Sequence, residues 1–182
     1  ATTKIYTLSL HDALPIWGDG VKAKEFRDKA IEFGSSSFDN DNDLQQLSRY
    51  ETCNERLLLK ARLLFDGGNY SLAEMELNKI RNMEALPKET ILEYHYRQSR
   101  IFHKTGRPLQ AIAGYQKVLA LGKGEKYYYA PYSAIQIASI AENNGDKKKA
   151  MSYYKTALEI NDGEYKNSIS RTAKTALNRL KL

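Results

Sequence analysis

The 182-residue chain is poor in the residues that usually carry chemistry: one cysteine, one tryptophan, three histidines and four prolines. The lone Cys53 excludes an internal disulfide and a thiolate-built zinc site. No apolar run approaches the ~20 residues a membrane-spanning helix needs. The phosphate-cradling pattern Gly-x4-Gly-Lys-Ser/Thr is missing, and "GKGEK" at 122–126 is an isolated glycine loop. His95 and His103 fall on one expected helix, but a separation of eight places them ~80° apart and two turns along, unlike a metal pair at i, i+4. "DNDND" at 39–43 has Asp39, Asp41 and Asp43 at calcium-loop spacing, but Leu44 stands where the sharp turn needs Gly and Tyr50 where the loop needs Glu; a polar loop with Asp43 as helix N-cap fits better. With no nucleophile–base set, the expectation is a non-enzyme with no cofactor, no metal and no small-molecule substrate.

What is present describes an ordinary globular chain: 42% hydrophobic and 27% charged residues, enough to bury a working core. The charge is uneven. Residues 1–100 hold 14 basic and 16 acidic side chains, whereas 101–182 hold 14 basic and 6 acidic, a net +8. Such a half can meet nucleic acid, acidic peptide or anionic lipid, or simply be a solvated lysine surface.

The opening run "IYTLSLHDALPI" (5–16) is too ragged for a strand, and His11, Asp12 and Pro15 break it as a secretory leader. Adjacency in sequence does not make His11 and Asp12 a catalytic pair, because such pairs are built in space. In one reading frame a common DNA sequencing adapter translates to this run residue for residue. Residues 1–16 are therefore expected to be a non-native, adapter-derived segment, with the native chain beginning upstream of Trp17.

The remainder repeats. "ARLLFDGGNYSLAEMELNKI", "SRIFHKTGRPLQAIAGYQKVLAL" and "ASIAENNGDKKKAMSYYKTALEI" align without gaps. A small residue (Ala61, Ser99, Ala138) is followed three positions on by Leu64, Phe102 or Ala141, then by a turn glycine (Gly68, Gly106, Gly145). Next come Ala73, Ala111 and Ala150, then Leu77, Tyr115 and Tyr154, then Ile80, Val118 and Ala157. Small residues let two helices cross closely, glycine ends the first helix in the left-handed conformation, and apolar steps of three and four give each helix a buried stripe. This pattern resembles the tetratricopeptide repeat family, whose period is ~34 residues. Extra residues fall between units, at "EALPKET" (84–90) and "GKGEKYYYA" (122–130). The family's usual Leu-Gly pair is replaced by Lys60-Ala61 and Gln98-Ser99, with Ile137-Ala138 closer. "LLLKARLLFDGGNY" and the C-terminal "EYKNSISRTAKTALNRL" look like the tail end of larger bacterial members.

The resemblance implies an all-α, right-handed α-α superhelix: about three helix-turn-helix units plus flanking N-terminal helices and a capping helix. We expect N-terminal helices over 17–53, including one at 21–33, and an array over 54–182 with units near 54–87, 92–125 and 131–163. Helices are predicted from Leu44 toward Asp66, then at 70–83, 88–104, 108–121, 131–143, 147–161 and 165–180, with Pro108 and Pro131 in first turns. The last helix has one apolar stripe opposite Lys and Arg, as the cap of a solenoid requires.

The first helix of each unit lines the groove in this family. The resemblance thus assigns partner contacts to Arg62 in the first unit, to Tyr96, Arg97, Arg100 and His103 in the second, and to Gln136, Ser139 and Asn143 in the third. Arginine forks suit carboxylates, so the expected guest is a protein or peptide with an acidic segment. The competing reading is that Arg97 and Arg100 are merely solvated or paired with Glu93. Removing both arginines is expected to weaken capture without lowering thermal stability. The alternative function is an RNA-binding helical repeat using the basic half, in which Tyr127–Tyr129, Tyr132, Tyr153 and Tyr154 stack bases; packing at inter-repeat joints explains the same tyrosines. The compartment stays open between bacterial cytoplasm and periplasm or cell envelope.

Overall fold

A computed structural model describes residues 53–180. Residues 1–16 with the expected adapter origin, the helix expected at 21–33, the loop expected around Asp39, Asp41 and Asp43, and the surroundings of the Cys53 thiol lie outside what is described. Among the described residues there are seven α-helices and no strand: α1 (Cys53–Asp66), α2 (Tyr70–Leu77), α3 (Lys88–Lys104), α4 (Pro108–Leu121), α5 (Tyr129–Asn143), α6 (Lys147–Glu159) and α7 (Lys166–Leu180). No helix among them is long and apolar enough to cross a membrane.

The turn inside each hairpin is the same device three times. Gly68, Gly106 and Gly145 have φ of 79°, 75° and 78°. Asn69, Arg107 and Asp146 donate their backbone N–H to the carbonyls of Leu64, Phe102 and Ala141 at 2.8, 2.8 and 2.9 Å, while each glycine N–H reaches back three residues. That is the Schellman closure, which satisfies the last carbonyls of α1, α3 and α5 and needs a left-handed residue. The carbonyl of the following residue then starts the next helix by accepting from Ala73, Ala111 or Ala150.

The residues that define the repeat are the ones that meet between helices. Ala61, Ser99 and Ala138 on the first helices and Ala73, Ala111 and Ala150 on the second are all buried, as are Leu77, Tyr115, Tyr154, Ile80, Val118 and Ala157. Leu64 and Phe102 are only partly covered. Three apolar clusters follow one another along the chain, centred on Leu58, Leu77 and Ile101, then Leu92, Tyr115 and Ile137, then Ala138, Tyr154 and Ile169. Each helix from α2 to α6 packs on its successor, and α3 also touches α5, as α5 touches α7. With Leu58, Ala61 and Phe65 of α1 in one cluster with Ile101 of α3, and Arg100 of α3 over Phe65, the first helices follow one another in order, as in a helical-repeat solenoid. α7 takes the place a further first helix would occupy. It buries Ile169, Ala173, Ala176 and Leu177 and leaves Arg171, Lys174 and Asn178 exposed.

Four boundaries differ from expectation. α2 stops at Leu77, not 83, because Lys79 and Ile80 turn back to carbonyls three residues earlier and Asn82 enters the left-handed region at φ 53°. A short 3-10 turn, Met83–Ala85, then leads into Pro87, which holds Leu86 extended. α5 begins two residues before Pro131, which still falls in its first turn. α6 ends at Glu159, and Tyr165 precedes α7 at φ 55°.

Candidate partner-binding surface

The common register puts Arg62 of α1, Arg100 of α3 and Ser139 of α5 at one repeat position, each directly after the small residue of the helix crossing. Arg100 lies with its guanidinium 4.1 Å over the Phe65 ring and 6.0 Å from that of Tyr96. Its Nη1 is 3.9 Å from Asp66 Oδ1, and Arg62 Nε is 3.8 Å from Asp66 Oδ2. The Arg62 and Arg100 side chains keep 25% and 31% of their surface open to solvent, so both remain reachable. Further along, the His103 ring of α3 stands edge-on to Tyr115 at 6.4 Å, with Gln136 of α5 close by. Burial, and then the charge of Lys104, holds the His103 imidazole below its ordinary pKa, so it is neutral at pH 7. Ser139 is partly covered and Asn143 is exposed at the end of α5.

Two of the sequence candidates are in the interior. Tyr96 is buried among Tyr115, Tyr128 and Tyr129, and burial raises its hydroxyl pKa. Arg97 is buried with Glu93, and its Nε donates to Glu93 Oε1 at 2.6 Å. The pairing with Glu93 is thus realised for Arg97, while Arg100 turns to Phe65 and Asp66. Removing Arg97 would take the guanidinium away from a carboxylate whose side chain is 6% exposed, so loss of both arginines is expected to lower stability, unlike the expectation above.

The tyrosines are structural. Tyr128 stacks edge-on with Tyr96, Tyr132 and Tyr165, and the Tyr132 hydroxyl meets Ser168 Oγ at 3.4 Å. The Tyr153 hydroxyl accepts from Gln116 at 3.3 Å. Tyr154 donates to Glu142 at 3.0 Å, and burial, then that carboxylate, pushes its pKa up to about 12. Glu142 also takes the Arg179 guanidinium at 2.7 and 3.1 Å, which ties the cap helix to α5. Lys147, Lys148 and Lys149 stay exposed at the start of α6. No group of three or more His, Cys, Asp or Glu side chains among the described residues could hold a metal ion.

Sequence reasoning passed over Phe65 and Asp66. The signal was available: Asp66 follows Arg62 by four residues, one helical turn, and Phe65 shares a repeat position with His103.

The fold and this surface define an α-helical repeat protein. More narrowly, a tetratricopeptide repeat family model matches residues 132–164, which take in most of α5, all of α6 and the turn after it. No curated protein and no solved structure matches the chain. Tetratricopeptide repeats are in general non-catalytic scaffolds for protein–protein interaction.

Proposed function

We propose that this chain binds an extended or helical peptide segment of a protein partner, rich in acidic side chains, along the row formed by α1, α3 and α5. The observation that carries the reading is the packing of α3 on α5 and the contact of α1 with α3 through Phe65, Asp66 and Arg100, with Arg62, Arg100, His103, Gln136, Ser139 and Asn143 not fully covered. A rigid row of helices presents side chains at fixed spacing, so a guest need not order the receptor on binding. Guanidinium forks at one end favour carboxylates, and the neutral His103 imidazole and the Gln136 amide offer hydrogen bonds further along.

The test is selection of a random peptide display library on the full chain, repeated with an Arg62→Gln/Arg100→Gln variant. Acidic peptides that bind the native chain and lose at least tenfold in affinity on the variant, at equal helix content by circular dichroism, support the reading. Peptides that bind both proteins equally refute this surface. The RNA alternative is tested in parallel by titrating single-stranded RNA against salt: binding at low salt with steep loss as salt rises would favour it over the peptide reading.

A further inference from the structure

We infer that the outward face of α6 is a second docking surface, which takes an acidic amphipathic helix of a protein partner. It lies on a second helix, apart from the row of first helices, and does not depend on the groove reading above. The repeat register locates it. Gln116 of α4 and Lys155 of α6 share one repeat position, and Ile112 and Met151 share another, at the spacing of Gly106 and Gly145. In α4 the Gln116 position reaches the next second helix: its amide donates to the Tyr153 hydroxyl of α6 at 3.3 Å. After α6 comes α7, which packs on α5 and α6 as a first helix does, and no described helix follows it. The side of α6 that would meet a further second helix is therefore open. A groove of about 420 Å³ runs along it, lined by Lys148, Met151, Ser152, Lys155, Thr156 and Glu159.

The chemistry of the groove selects its occupant. Met151 is partly covered, with one side against the third apolar cluster. Lys148 and Lys155 flank it, both exposed, about one helical turn to either side. Lys147 and Lys149 extend the charge at the start of α6. Glu159, at the far end, is the only acidic side chain in α6 and α7, and the carboxylate contacts of these helices fall to Lys166 and Arg179 instead. The matching guest is a helix with an apolar residue between two acidic ones, each one turn away, and a basic residue a turn further on to meet Glu159. Each acidic residue gains a charge pair, and the apolar residue covers Met151. From Lys148 to Glu159 the groove runs about 16 Å, three turns of such a guest. A lipid surface fits less well, since no large hydrophobic side chain of α6 or α7 is exposed to enter it. Single-stranded RNA lacks a stacking platform here, because Tyr153 and Tyr154 are held by Gln116 and Glu142.

The experiment uses the full chain and a fluorescein-labelled, alanine-based helical peptide carrying Glu, Leu, Glu and Lys at the spacing of Lys148, Met151, Lys155 and Glu159. The same peptide with Gln in place of both Glu is the uncharged control. Lys148→Gln/Lys155→Gln should weaken binding about three- to tenfold, the worth of two exposed charge pairs. Lys148→Glu/Lys155→Glu should lose the acidic peptide and gain a version with Lys in place of both Glu. Lys123→Gln/Lys126→Gln removes the same charge from the loop after α4 and should leave affinity unchanged. Thermal melts within about 2 °C of the native chain establish that these variants are folded. A native chain that does not bind the acidic peptide, or binds it no better than the Gln control, overturns the inference. So does an equal loss in the Lys123 and Lys126 variant, which would reduce the effect to net charge. Loss in Arg100→Gln but not in Lys148→Gln/Lys155→Gln overturns it too, while leaving the groove reading in place. Vesicles of phosphatidylcholine with phosphatidylglycerol, and a mixed-sequence single-stranded RNA, run alongside. Capture of either through Lys148 and Lys155 without capture of the peptide overturns the assignment to a protein partner.

Discussion

Replacing Gly114 by alanine sets helix propensity against helix crossing, and the two predict opposite signs. Gly114 lies inside α4, where alanine is ordinarily favoured over glycine by about 0.5–1 kcal/mol. At this position, however, a Cβ would stand 3.3 Å from Ser99 Cβ and far inside contact distance of Ser99 Oγ. Ser99 cannot simply step aside. It is 1% exposed, at the crossing of α3 and α4, and its hydroxyl donates to the His95 carbonyl at 2.6 Å. Either the hydroxyl gives up that bond in the interior, or the helices part. Overpacking of this kind costs about 1–3 kcal/mol, and a stranded hydroxyl costs a similar amount. Set against the propensity gain, Gly114→Ala should destabilise by roughly 2 kcal/mol, a fall in Tm of about 4–8 °C for a chain of this size. Ser99→Ala removes the offending oxygen and leaves only the tight Cβ–Cβ approach. Ser99→Ala/Gly114→Ala should therefore recover most of the loss, giving a coupling of at least about 1 kcal/mol in a double-mutant cycle read by urea denaturation. A Gly114→Ala protein more stable than the native one, or additive effects in the cycle, would refute this account of the crossing.

Arg97→Ala should cost about 3–5 kcal/mol in urea unfolding by leaving Glu93 buried without its arginine, whereas Glu93→Leu/Arg97→Met, which removes both charges, should cost far less. The Tyr115 hydroxyl is buried with no hydrogen-bond partner among the described residues, so Tyr115→Phe should keep or raise stability, by up to about 1 kcal/mol in a thermal or urea melt. Burial, then Lys117, pushes His95 down to about 4 from 6.5. The unfolded chain thus takes up this proton at a pH where the folded chain does not, so stability is complete above pH 6.5 and falls as the pH drops toward 4. Because the ring is partly exposed, the loss is on the order of 1 kcal/mol, and His95→Gln should flatten that part of a urea-midpoint profile against pH.

The hairpins were legible from residues 54–182 because their determinants are local. A glycine that must be left-handed, a small residue at fixed distance before it and an alanine after it each act within one or two turns of chain, and spacings of 38 and 39 between Gly68, Gly106 and Gly145 repeat them. The stacking order followed, since a hairpin with one apolar stripe can bury it only on its neighbour. The early end of α2 was not legible: Ile80 continues the apolar pattern, and it is buried here from a non-helical turn.

The fate of the polar candidates was decided in three dimensions. Arg97 and Arg100 are three residues apart on one helix and look interchangeable in sequence. Tertiary packing sends the first inward to Glu93 and the second across to Phe65 and Asp66 of the preceding hairpin. Likewise Tyr128 and Tyr132 became structural once Tyr96 and Tyr165 packed against Tyr128. Periodicity tells which side of a helix is apolar, because that depends on the chain's own geometry. Whether a charge at the edge of that side meets water, a ring or a carboxylate depends on what the neighbouring helix brings to it, and only the folded stack determines that.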